Sequence, residues 1–157
     1  MKNIERKNAI LDYLKALNRL KELNIIKNQK DFTSQLGEWL IAELFRGELA
    51  LNGKQKDWDV KVGEQYFQVK SHAKSKTTKR TNTDIYYEEN ANIDFLIIVI
   101  FSEDYKLNEL FKIPWKKAFK LITTNNKYPV IRWSDLNEYK IDYKNVFKNN
   151  PLIETFI

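Results

Sequence analysis

"DWDVKVGEQYFQVKSHAKSKTTKR", residues 57–80, is the stretch on which the fold turns. Two short runs, Trp58–Val62 and Tyr66–Lys70, flank "GEQ" and predict a β-hairpin. Side chains alternate across a strand, so Phe67 and Val69 face a core while Gln68 and Lys70 share the opposite surface. Asp59, at the head of the partner strand, can face that surface across the hairpin. Asp57 lies two residues away with the same parity, so alternation leaves both acids open. A hairpin needs neither an acid, an amide and an ammonium on one surface nor the cations that follow.

Working outward, residues 33–46 predict a helix, with Thr33 or Ser34 as N-cap and Gly47 as its stop. At 100° per residue, Gly37, Leu40, Ile41, Leu44 and Phe45 fill one broad arc, with Trp39, Glu43 and Arg46 opposite. Glu38 falls at the edge of the apolar arc, where a carboxylate needs a cation, a donor or a metal. An earlier helix is expected over 4–23, with Ile10, Leu11, Leu14, Leu17 and Leu20 at three- and four-residue steps; it packs on the domain or on a partner chain. Beyond the hairpin, Ile93–Phe101 is apolar on both faces and reads as a central strand. "FKIPWKKAFKLI" (111–122) reads as a strand and then a helix with Pro114 in its first turn, and "YPVIRW" (128–133) as a further strand. The expectation is one α/β domain over 1–157, with a mixed central sheet flanked by helices.

The composition agrees with a folded domain. Of 157 residues, 43% are hydrophobic and 31% charged, and no cysteine is present for a disulfide or a thiolate metal site. The longest apolar run, "FLIIVIF" (95–101), is too short to span a bilayer, and the N-terminal residues lack a signal-peptide pattern. A cytoplasmic protein with no membrane partner is expected. Net charge is +6, which suits a polyanionic partner.

In order along the chain, Glu38 in a helix, Asp59 before a hairpin strand and Gln68-Val69-Lys70 resemble the PD-(D/E)xK restriction-endonuclease-like nucleases. The segment "LGEWLIAELFRGELALN…DWDVKVGEQYFQVKS" is similar to the variant with Gln-x-Lys in place of Glu-x-Lys. The resemblance covers residues 34–75 and extends loosely to "NIDFLIIVIF…FKIPW", giving a catalytic core of about 33–122. It implies a restriction-endonuclease-like core and a Mg²⁺-dependent endonuclease, with Mn²⁺ as a substitute. Asp59 would be the metal carboxylate, Gln68 would offer its amide oxygen, and the Val69 backbone carbonyl would complete the shell. Glu38 would ligate directly or through water, and Lys70 would orient the attacking water. Asp59 is favoured over Asp57 because it directly precedes the "VKV" strand, as in the family. The sequence departs from the pattern twice: Trp58 stands where the family has proline, and Gln68 removes one negative charge from the site.

Lys74, Lys76, Lys79 and Arg80, interleaved with Ser and Thr, suit contacts to the phosphates of double-stranded DNA. His72, on the face of Lys70, is expected in a phosphate or structural contact. Tyr86 and Tyr87 are candidates for DNA contact or for core packing. A small type II restriction enzyme is the expected setting, possible as a homodimer through the first helix. Junction-resolving and repair nucleases share such a site, and the alternative is a non-catalytic module on the same fold that binds nucleic acid or a protein.

Overall fold

A computed structural model describes residues 2–28, 31–51, 57–77, 79–124 and 127–157. Its centre is a five-stranded sheet in the order β1-β2-β3-β5-β6, where β1 is Glu48–Leu49, β2 Val60–Val62, β3 Gln65–Ala73, β5 Phe95–Phe101 and β6 Leu107–Pro114. Only the β3–β5 pair is parallel, running from Phe67 opposite Phe95 to Ala73 opposite Phe101. The apolar run is indeed central: Leu96 to Phe101 are fully buried. It contributes Ile97, Val99 and Phe101 to the core on one face and Leu96, Ile98 and Ile100 to the core on the other.

The hairpin forms as its sequence dictates. Val62 pairs with Gln65 across a two-residue turn in which Gly63 takes φ +58°, a conformation that glycine adopts without strain. The strands differ in length from the expectation. Trp58 and Asp59 leave the ladder, so β2 has three residues, while β3 continues past Lys70 to Ala73 because β5 supports it along its other edge.

Helix α1 (Lys2–Glu22) precedes α2 (Phe32–Phe45), which lies on the first face and buries Leu36, Leu40, Ile41, Ala42 and Leu44. Its N-cap is Asp31, whose carboxylate accepts from Ser34 N at 3.3 Å; Thr33 is instead bonded to the Tyr105 hydroxyl. The left-handed residue at its end is Arg46, φ 54°, rather than Gly47. Gly47 is needed for a different reason: a Cβ there would come within 2.7 Å of the Lys61 carbonyl and 2.8 Å of Val60 and Val62. A glycine at position 47 therefore lets the helix turn directly onto β2.

On the second face, α3 (Trp115–Lys120) follows β6, with Pro114 as N-cap rather than within the first turn. The expected strand near 128–133 is β7 (Val130–Arg132). It pairs outside the main sheet, with β4 (Asn82–Asp84), which the sequence reading had not foreseen. The crossover from β3 to β5 thus carries a strand and turns where a helix is common. Among the described residues of α1, only Leu17 is buried, and Ile10, Leu11 and Leu14 stay exposed. No described helix is long and apolar enough to cross a membrane. Short helices α4 (Tyr143–Val146) and α5 (Pro151–Phe156) close the first-face core with Tyr143, Ile153 and Phe156.

Lys112 on β6 spreads over three rings, its ammonium 4.3 Å from the centroid of Phe95, 4.9 Å from Phe67 and 5.3 Å from Phe45. The negative ring faces hold the cation in place of solvent. Lys112→Glu is expected to cost about 2 kcal/mol and Lys112→Met, which keeps the apolar stem, less than about 1 kcal/mol, read by urea unfolding.

Candidate active site

The site lies where β2 stops covering β3. Pairing ends at Val60 opposite Phe67, so among the described residues no strand pairs with the β2 side of β3 from Gln68 onward. Asp59 fills that gap. Its backbone N–H still donates to the Phe67 carbonyl, while its carboxylate accepts from Val69 N at 2.8 Å and from the Gln68 amide nitrogen at 2.5 Å. A strand residue directs its N–H and C=O to the same side, so the Val69 carbonyl also faces the gap. There it meets the Gln68 amide nitrogen at 3.3 Å.

The Gln68 NH₂ group therefore sits between a carboxylate and a backbone carbonyl, both electron-rich oxygens, and serves as their donor. Gln68 is buried, so this amide has been taken out of water to do so. For Gln68 to offer its oxygen to a cation, as the resemblance implies, the amide must turn over.

Glu38 joins from α2. Burial first, and then the Asp59 charge, raise its pKa from 4.5 to about 7 against the opposing effects of Lys27 and Lys70. Asp59 is raised as well, chiefly by burial, against the Val69 N–H, Lys70 and Lys27. Two desolvated carboxylates thus repel one another beside two lysines. Glu38 reaches this place because α2 presses closely on β3 at the preceding residue. A Cβ on Gly37 would overlap Ser71 Oγ and lie 2.7 Å from Ser71 Cβ.

Lys70 stands on the opposite face of β3, its ammonium 3.4 Å from the Tyr87 hydroxyl and 5.1 Å from the Tyr87 ring centroid. Tyr87 is partly buried beside Trp115, whereas Tyr86 is exposed. The alternation that left Asp57 and Asp59 equal is resolved in space. The Asp57 carboxylate is turned away, accepting from Asn92 N at 2.9 Å, and Asp59 alone of the two meets Gln68 and Val69.

Of the phosphate and structural contacts expected for His72, the structure shows a structural one. Its ring packs against Trp133 and bonds Thr83 Oγ1 at 2.9 Å, and burial, with Arg80 nearby, depresses its pKa to about 4. A neutral, inward imidazole is a structural group. The basic segment is mixed: Lys74 pairs with Glu109 and Arg80 with Asp84, while Lys76 and Lys79 are exposed. Such exposed pairs hold weakly and can be exchanged for phosphate.

Lys27, in the connection between α1 and α2, has no periodic or motif signal, and the sequence reading missed it. Its ammonium donates to the Ala50 carbonyl at 2.7 Å, and Ala50 N donates to the Asp59 carbonyl at 2.8 Å. Ala50 thus links it by hydrogen bonds to the Asp59 backbone.

The donor set fits a hard divalent cation. Two carboxylates raised by burial, Glu38 by the Asp59 charge as well, gain from a positive charge, and the Val69 carbonyl faces them with no strand beside it among the described residues. Among the described residues no cluster of three or more His, Cys, Asp or Glu exists, so the amide and carbonyl oxygens would be needed as well. Neither a family model nor a curated protein matches the chain.

Proposed function

We propose that the chain is a metal-dependent endonuclease that hydrolyses phosphodiester bonds in DNA, of the restriction-endonuclease-like kind with Gln-x-Lys in place of Glu-x-Lys. The observation that carries this reading is the convergence of Asp59, Glu38 and the Val69 carbonyl at the end of the β2 ladder, with Lys70 nearby. Asp59, Glu38, the Val69 carbonyl and a turned Gln68 amide would hold Mg²⁺, or Mn²⁺ in its place. That ion would supply polarisation of the phosphate and a lowered pKa for nearby water. Asp59 is fixed by the Val69 N–H, so the position of its charge is set before any ion arrives. Lys70, steadied on Tyr87, places a compact positive charge beside the attacking water and the phosphate oxygens. Lys76 and Lys79 would contact the backbone of the duplex. Cutting both strands would take two copies, and the exposed α1 ridge of Ile10, Leu11 and Leu14 offers them an apolar contact.

One observation favours a second reading, a module that binds nucleic acid without cutting it. The Gln68 amide already satisfies Asp59 and Val69, so the fold does not require an ion for that contact. Incubation with supercoiled plasmid and with branched duplexes separates the two. The nuclease cuts with Mg²⁺ or Mn²⁺, stops with chelator, and loses about a hundredfold in rate in Lys70→Ala. Discrete plasmid fragments would indicate a restriction enzyme, and preference for branched DNA a junction-resolving one. DNA bound by the wild type and left intact on every substrate would favour the binding module.

A further inference from the structure

A cleft of about 410 Å³ lies between the end of α1 and β1, lined by Lys21, Asn24, Ile26, Lys27, Leu49, Ala50 and Leu51. Among the described residues, two lysines and no acid line it, although the chain holds 21 acidic residues. Helix ends usually repel anions with unpaired carbonyls, but here those of Arg19, Leu20 and Lys21 accept from Leu23, Asn24, Ile25 and Ile26 N–H groups. Asn24 takes φ 57° to make that turn. The cleft wall touches the active site through Ala50, whose carbonyl holds the Lys27 ammonium and whose N–H holds the Asp59 carbonyl. Lys27 also lies within Coulombic reach of Glu38 and Asp59. Its loop is fixed to α2, since Gln35 Oε1 accepts from both Lys27 N and Asn28 N.

We propose that this cleft is a second phosphate subsite, in which Lys21 and Lys27 take a backbone phosphate of the DNA strand next to the one being cut. The proposal rests on the nuclease reading and deepens it. It extends the DNA path across the α1 side of the site, in addition to the backbone contacts of Lys76 and Lys79. Ile26, Leu49 and Leu51 give the cleft apolar surface against which a deoxyribose can lie. The contact positions the strand and carries no sequence preference.

The test is fluorescence anisotropy of a labelled duplex with Ca²⁺ in place of Mg²⁺, across salt concentrations, for wild type, Lys21→Met, Lys27→Met and the double variant. Because the two ammoniums share one phosphate, the double variant is expected to lower the slope of log affinity against log salt by about 0.9 and each single change by part of that, with binding by the double variant more than about tenfold weaker at 0.1 M salt. Lys27→Arg keeps both the charge and a donor for Ala50 and is expected to keep the wild-type slope. Mn²⁺ binding in Lys27→Met is expected to stay or tighten, because a cation beside the carboxylates has gone. Unchanged slopes in the double variant, or a loss in Lys27→Arg equal to that in Lys27→Met, would overturn the subsite while leaving the nuclease reading intact. A wild type that binds neither Mn²⁺ nor duplex would overturn both.

Discussion

Glu38→Gln is expected to stabilise the metal-free protein at pH 8 while abolishing the metal-dependent cleavage proposed for it. The carboxyl has a pKa of about 7 in the folded chain against 4.5 as its ordinary value. A raised pKa means that the folded state binds the proton more tightly than the unfolded one. The stability it contributes is therefore complete below pH 4.5 and is lost as pH rises through about 7. Asp59, raised for the same cause, acts in the same direction. The shift sets an upper limit of about 3 kcal/mol, which solvent at the exposed edge of Glu38 reduces to about 2 kcal/mol. Glutamine keeps the shape and cannot ionise. Urea unfolding in chelator should then show wild type weaker at pH 8 than at pH 6, and the variant nearly level between them. Added Mn²⁺ should raise the wild-type midpoint at pH 8 and leave that of the variant unchanged. A variant less stable than wild type at pH 8 would mean that the carboxylate is satisfied by the protein alone.

The second large effect is expected at Gly37. Alanine there would drive its methyl into Ser71, and both the Oγ and the Cβ of Ser71 stand in the way. Overpacking of this kind costs about 3 kcal/mol, or roughly 10 °C in Tm for a chain of this size. The damage should reach function as well, because the helix that must lift away carries Glu38. Ser71→Ala removes only the hydroxyl, which is buried and has no hydrogen-bond partner among the described residues. On its own that change should be neutral or stabilising by up to about 1 kcal/mol. Ser71→Gly clears both obstacles, and the next atom, on Phe101, is at an ordinary 3.9 Å. Gly37→Ala with Ser71→Gly should therefore recover stability that Gly37→Ala with Ser71→Ala does not. Thermal unfolding of the four variants checks the order.

These two sites show where the sequence was legible. Strand alternation separated Phe67 and Val69 from Gln68 and Lys70, and the helical wheel set Glu38 at the edge of the apolar arc; both assignments follow from backbone geometry alone. Alternation names a face but not what covers it. His72 shares the parity of Gln68 and Lys70, yet Trp133 and Thr83, distant in sequence, close over it. Strands of two or three residues, such as β1 and β4, are too short to have a period. Gly47 looked like a helix stop because glycine favours the left-handed region, but its smallness against β2 is what the fold uses, and Arg46 makes the turn. Lys27 carried no local signal at all, since its importance arises from the Ala50–Asp59 contact of a different segment.

Calorimetric titration of Mn²⁺ into chelator-stripped protein at pH 8, wild type beside Asp59→Asn, tests the centre of this account. Wild type should bind the ion, with affinity falling as pH drops through 7 and Glu38 takes its proton, and Asp59→Asn should show no binding. Equal binding by the two proteins, or none by wild type, would contradict the proposal that Asp59 and Glu38 hold a catalytic metal ion.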